Sequence, residues 1–190
     1  MAACSSEEPS GGRSSESRDG PPHIAAYQAG YKSGKAVYDA SGKGAAVRET
    51  VWGGCTRRAL DAGATAEQDR GAWVRGCLDG VVDKPQDAPT APVTERAENP
   101  GLLKTYRSWA EGNGAEALAR HAQKLTTTQL TERDYDIELA ADYGPGAGTQ
   151  PKALAESFAK WWDGDHGRGG VARNVLILGG DGKRLVAQRL

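Results

Sequence analysis

Residues 135–143, Tyr-Asp-Ile-Glu-Leu-Ala-Ala-Asp-Tyr, decide the fold class, because apolar and polar side chains alternate strictly along them. Tyr135, Ile137, Leu139, Ala141 and Tyr143 fall on one face, and Asp136, Glu138 and Asp142 on the other. That pattern predicts a strand of an antiparallel sheet with one face on a core and the other in water. The β-prone run Leu125 to Leu130, closed by the polar turn Thr131 to Asp134, predicts a hairpin partner just before it. After a Gly/Pro loop at 144–151, Leu154, Phe158, Trp161 and Trp162 recur at helical spacing, so residues 152–163 are expected to form a helix that lids the sheet. Asn174 to Leu178, the turn Gly180-Asp181-Gly182, and Lys183 to Leu190 read as a terminal hairpin. Upstream, Leu102, Leu103, Tyr106 and Trp109 mark a helix that pauses at Gly112-Asn113-Gly114 and resumes from Ala115 to about Gln123. The order ααββαββ over 101–190 places helices on one face of an antiparallel sheet, an α+β module.

The first half of the chain has a different period. From His23 to Ala40, residues Ile24, Tyr27, Tyr31, Gly34 and Tyr38 line one side of a helix, and Gly30 with Gly34 would let a neighbouring helix approach closely. Residues 44–62 place Val47, Val51, Cys55 and Ala59 at helical spacing, and residues 66–82 do the same with Trp73, Val74, Cys77, Leu78 and Val81. The break Gly63-Ala64-Thr65 turns these into an antiparallel helical hairpin, in which Cys55 and Cys77 come opposite one another. Gly54 and Gly76 precede the two cysteines and are expected to let the backbones approach to disulfide distance. Closing such a loop contributes roughly 3 kcal/mol in the chain-entropy description. The expected domains are therefore a disulfide-stapled three-helix module at 23–82, a linker at 83–100 that holds four of the nine prolines, and the α+β module at 101–190.

The amino terminus carries the location. Small residues directly before a cysteine, as in Ala2-Ala3-Cys4, resemble the end of a lipobox, which makes Cys4 the expected lipidation site. Only three residues precede Cys4, so the charged and apolar stretches of an export signal are expected to have been trimmed or to lie upstream of Met1. Residues 5–22 are mostly Ser, Gly, Glu and Pro, with Arg13, Arg18 and Asp19 and no apolar residue, and 1–22 read as a disordered lipoprotein tether. Lipidation also resolves an odd count of three cysteines, since it consumes one and leaves a pair. Two acyl chains on one cysteine suffice for stable anchoring. The expected location is extracytoplasmic, on the outer face of the cell membrane, with the membrane as one partner through the anchor. No stretch approaches the roughly 18–20 apolar residues of a span.

Composition and charge remove several function classes. With 38% hydrophobic residues, 26 glycines and one phenylalanine, any core must be thin and built on Ala, Val, Leu and five tryptophans. The net charge of −1 is spread evenly, and the pairs Arg57-Arg58 and Lys183-Arg184 are too sparse for nucleic-acid binding. No Gly-x-Ser-x-Gly turn offers a serine nucleophile, and cysteines this far apart form neither a redox turn nor a zinc site. Gly179 to Lys183 resembles a phosphate loop but lacks a following helix. His166, with Asp163 and Asp165, offers too few ligands at the wrong spacing for a metal, so no metal or cofactor is expected. Glu138 with Asp136 or Asp142 would lie on the solvent face, where an unperturbed carboxylate does no acid catalysis. Two readings remain. The first is a non-catalytic module that binds a protein, peptide or cell-wall component through the polar sheet face or through the surface of Tyr27, Tyr31 and Tyr38. The alternative is an envelope enzyme whose site is assembled from His121, His166, Glu138 and Asp163, which requires at least two of them within hydrogen-bond reach.

Trp52-Gly-Gly-Cys55, Trp73-Val-Arg-Gly-Cys77, Asp142-Tyr-Gly-Pro-Gly and Phe158-Ala-Lys-Trp-Trp162 together resemble a set of small uncharacterised lipoproteins of actinomycetes, over most of 23–190. The resemblance implies an exported, lipid-anchored protein and implies no activity.

Overall fold

The computed structural model describes residues 20–144, 146–162 and 169–190. Among these residues eight helices and five strands follow one another as α1 (Pro22–Ser41), α2 (Gly44–Thr50), α3 (Gly54–Asp61), α4 (Ala64–Gln68), α5 (Arg70–Val81), β1 (Glu95–Glu98), α6 (Pro100–Gly112), α7 (Glu116–Ala119), β2 (Ala122–Gln129), β3 (Asp134–Ala141), α8 (Gln150–Trp161), β4 (Val171–Leu178) and β5 (Arg184–Arg189). The α+β class expected from the sequence is the observed one.

Glycines set the helical layer. A Cβ on Gly30 would lie 1.9 Å from the carbonyl oxygen of Trp73, and one on Gly34 would lie 2.0 Å from that of Cys77. From the other side, Gly76 and Gly80 meet the carbonyl oxygens of Tyr27 and Tyr31 at 2.1 and 2.3 Å. α1 and α5 therefore run parallel with their backbones in contact, each contributing a Gly-xxx-Gly step. Gly76 serves this contact rather than the approach to Cys55. The disulfide itself is present, with the Cα atoms of Cys55 and Cys77 5.8 Å apart.

The expected three helices are five. Residues 44–62 break at Gly53, whose left-handed backbone (φ 72°) turns the chain sharply between α2 and α3 and presents Cys55 to α5. A short α4 then precedes Asp69, which caps α5 by accepting from the Ala72 amide at 2.9 Å.

The sheet has the order β1-β2-β3-β4-β5. It is mixed rather than wholly antiparallel, because β4 pairs in parallel with β3 after α8 carries the chain back across the sheet. The proline-rich segment 83–100 is built in at its end. β1 pairs with β2, and Asp69 accepts from the amides of Val93 and Thr94 and from the Thr94 hydroxyl. Among the described residues no helix is long and apolar enough to cross a membrane.

The largest departure from expectation concerns the polar face of β3. Leu125, Ile137, Leu139, Val175 and Ile177 pack against Tyr106 of α6 and Phe158 of α8, as the alternation predicts. The opposite face is not wet. Asp136 and Glu138 are buried, as are Thr126, Thr128 and Asn174, because the helices of the N-terminal half cover them and Leu130 joins the helical core. Arg70 of α5 supplies the compensating charge through an ion pair to Glu138.

Candidate anion-binding cleft

The turn between α2 and α3 stands over the β4 and β5 edge of the sheet and encloses a cleft of about 450 Å³. Five arginines line it: Arg48 from α2, Arg57 and Arg58 from α3, Arg173 from β4 and Arg189 from β5. Among the described residues only Glu49 and Asp61 oppose them in the lining, which leaves an excess of positive charge. The uncapped N-terminal turn of α3, with Gly53 and Gly54, contributes its backbone to one wall. Trp52 forms part of the rim and is 64% exposed.

Local bonds explain why these cations stay together. Glu49 is buried and accepts from Arg58 through Nε at 3.1 Å and a terminal nitrogen at 3.2 Å. A Cβ on Gly54 would strike the Glu49 carboxylate at 2.2 Å, so the absent side chain makes room for it. Arg173 donates to Asp134 at 2.9 Å and to the Val51 carbonyl at 3.1 Å, and Arg189 reaches the Trp52 carbonyl at 3.3 Å. These two strand residues fasten the α2–α3 turn to the sheet while contributing their guanidinium groups to the cleft. Arg57 has no carboxylate partner among the described residues and is exposed. Guanidinium groups do not give up protons at ordinary pH and match planar or tetrahedral oxyanions with paired donors. Among the described residues the lining holds no histidine, lysine or free thiol, and its guanidinium groups suit it to oxyanions.

A second cavity, of about 540 Å³, lies between Arg70, Arg96, Glu138, Glu67 and Arg184. Four cations, Lys183 included, share this lining with two glutamates, but here each cation has a carboxylate partner. Arg70 pairs with Glu138 and approaches Glu67 at 3.7 Å, Arg184 meets Glu67 at 3.0 Å, and Arg96 meets Glu138 at 3.5 Å. This network joins α4 and α5 to the sheet and leaves Glu138 no role as an exposed carboxylate.

The residues singled out in the sequence take the following positions. Tyr27 is fully buried, donates to Asp79 at 2.9 Å and accepts from the Asp87 amide at 2.8 Å, so it cannot belong to a binding surface. Tyr31 donates to the Lys84 carbonyl at 2.9 Å, and Tyr38 is half-buried with the Lys35 ammonium 5.1 Å from its ring centre. The tyrosine seam thus ties α1 to α5 and to the segment after it. His121 meets Asp142, not Glu138: its Nδ1 lies 2.6 Å from Asp142 Oδ1, and its ring stacks on Tyr143. Cys4, Asp163 and His166 lie outside the described residues.

Sequence reading missed the cleft because its arginines span positions 48 to 189. The one local signal was Trp52-Gly53-Gly54 beside Arg57-Arg58, a flexible turn with an aromatic and two cations. No family model, curated protein or solved structure matches the chain.

Proposed function

We propose that the protein is an extracytoplasmic module, held at the outer face of the cell membrane by a lipid on Cys4, that binds an anionic group of an envelope component without catalysis. The observation that carries the binding reading is the convergence of five guanidinium groups on one cleft with Trp52 at its rim. The Cys55–Cys77 bond supports an oxidising compartment, since such bonds are rare where thiols are kept reduced. The lipobox-like Ala2-Ala3-Cys4 supports the anchor.

Calorimetric titration of the folded chain with inorganic pyrophosphate tests the cleft. Saturable binding that weakens as salt rises is expected, and Arg57→Ser should weaken it about tenfold, the worth of a charge-assisted hydrogen bond. Unsaturable heats, or unchanged affinity in the variant, overturn the reading. Mass measurement of the chain isolated from its native cells tests the location: a diacylglyceryl adduct on Cys4 and no alkylation of Cys55 and Cys77 are expected, and an unmodified Cys4 refutes the anchor.

A further inference from the structure

α2 is inverted relative to an ordinary surface helix. Its inward positions hold Ala45 and the carboxylate of Glu49, whereas its outward positions hold valine. Val47 and Val51, one turn apart, are 58% and 62% exposed, and Trp52 follows at 64%. Three of the five exposed large hydrophobic residues among those described therefore fall within one six-residue stretch, 47–52. A helix that spends its buried side on a carboxylate and turns its branched apolar residues to water is built to meet an apolar phase outside the protein.

What surrounds this apolar knob names that phase. Arg48 lies between the two valines in sequence and is 64% exposed, Arg58 is 44% exposed, and Arg57 and Lys43 are exposed as well. A protein partner would need an interface of about 1,000 Å² or more with apolar area to match. Three side chains ringed by cations offer far less, and suit the boundary of an anionic bilayer. There, tryptophan prefers the headgroup level, branched aliphatic side chains reach just below it, and arginines meet phosphates. We infer that Val47, Val51 and Trp52 seat the protein on an anionic phospholipid surface, with the headgroup phosphate entering the arginine cleft beside them. This rests on the proposal that the cleft binds anions, and makes the lipid headgroup its ligand. The tether permits the pose: residues 5–21, at no more than roughly 3.5 Å each, allow α1 to begin anywhere within about 60 Å of an anchored Cys4.

Val47 and Val51 are outside the cleft lining, so the knob can be altered without touching the anion site. The test is sedimentation of the full chain, unlipidated, with vesicles of equal parts phosphatidylglycerol and phosphatidylcholine, and with vesicles of phosphatidylcholine alone. Binding to the anionic vesicles only is expected. Val47→Ser with Val51→Ser should weaken it at least tenfold while leaving pyrophosphate binding and the unfolding midpoint unchanged. Arg57→Ser should cost about fivefold, the usual worth of one cation near such a surface. Vesicle binding that the double serine variant leaves intact overturns the inference. So does a dimer in solution that the same variant dissolves, which would assign the patch to a second copy. If vesicles are ignored while pyrophosphate still saturates the chain, the membrane seat fails and the anion cleft stands. If neither is bound, both fail.

Discussion

The two faces of the sheet are filled in opposite ways. On one, Ile137, Leu139, Val175 and Ile177 meet Phe158, Tyr106 and Trp161 in a continuous apolar core whose aromatic rings pack at 5.0 to 5.3 Å. On the other, threonines, Asp136, Glu138 and Asn174 lie beneath helices whose own core is largely alanine, glycine and a disulfide. Both faces are covered, the polar one slightly less completely, with Thr126, Glu138 and Asn174 at 6 to 9% exposure, and the causes differ. The apolar face is held by the area removed from water, which is indifferent to register in detail. The polar face is tolerable only because Arg70 reaches Glu138 and Asn174 reaches Asp136 at 2.8 Å. A face of this kind adds little net stability but fixes which surface of the helical layer docks where.

Removing one partner from each face separates these roles. Arg70→Met leaves Glu138 buried without its strongest partner and should cost about 3–5 kcal/mol. Adding Glu138→Leu should restore most of that loss, because an apolar pair of similar volume replaces the desolvated charges. On the apolar face, Phe158→Ala should cost a similar 3–5 kcal/mol through cavity formation. There, a second truncation of the neighbouring Leu154 should deepen the loss rather than relieve it. Guanidinium unfolding midpoints of the four variants check the contrast, and a polar pair that fails to recover in the double variant would place the fault in packing instead of charge.

The helical layer carries the covalent staple, which is the next lever. Reducing Cys55–Cys77 releases a 22-residue separation. It should lower stability by roughly 3 kcal/mol. Because the same layer covers the polar face, backbone amides of β3 and β4 should exchange faster with solvent in the reduced protein than those of α6 and α8. Hydrogen exchange measured with and without reductant checks this, and equal acceleration on both sides of the sheet would mean that the layers unfold as one unit.

This contrast also explains what could be read beforehand. The alternation at 135–143 located β3 and its apolar face, and helical spacing brought Cys55 to Cys77, because both signals are local periods. Alternation says only that two faces differ, and cannot say whether water or another layer covers the polar one. The clue was Arg70, an arginine that begins α5 just after the Asp69 cap, yet its partner Glu138 is far along the chain. The parallel pairing of β4 was missed for a different reason: the helix at 152–163 is legible but reads as a lid, whereas a helix between two strands also serves as the crossover that parallel pairing needs. The arginine cleft was least legible of all, since each wall contributes one or two cations to a charge count that looks uniform.

Titration gives the finest test of the two faces, because among the described residues the apolar core holds no carboxylate. Burial pushes the Asp136 carboxyl up to about 6, against the pull of Arg70 and the Asn174 hydrogen bond, and with help from the charge of Glu138. Between an ordinary value of 3.8 and about 6, the folded chain keeps a proton there that the unfolded chain has lost. Raising the pH through that window therefore favours unfolding, and the stability contributed by neutral Asp136, roughly 2–3 kcal/mol, is present at the acid end and gone at the other. Asp69 works in the opposite direction. Burial raises it, but bonds from Thr94, Ala72 and Val93 outweigh burial and hold it below the usual carboxylate range, so its contribution fades as pH falls. Asp136→Asn keeps an oxygen for Asn174 and removes the proton, so the variant should lose the decline in unfolding midpoint between about pH 4 and 6 while keeping the fall at lower pH. An unchanged decline in Asp136→Asn would show that water reaches the carboxyl, and that the polar face is less tightly covered than its apolar counterpart.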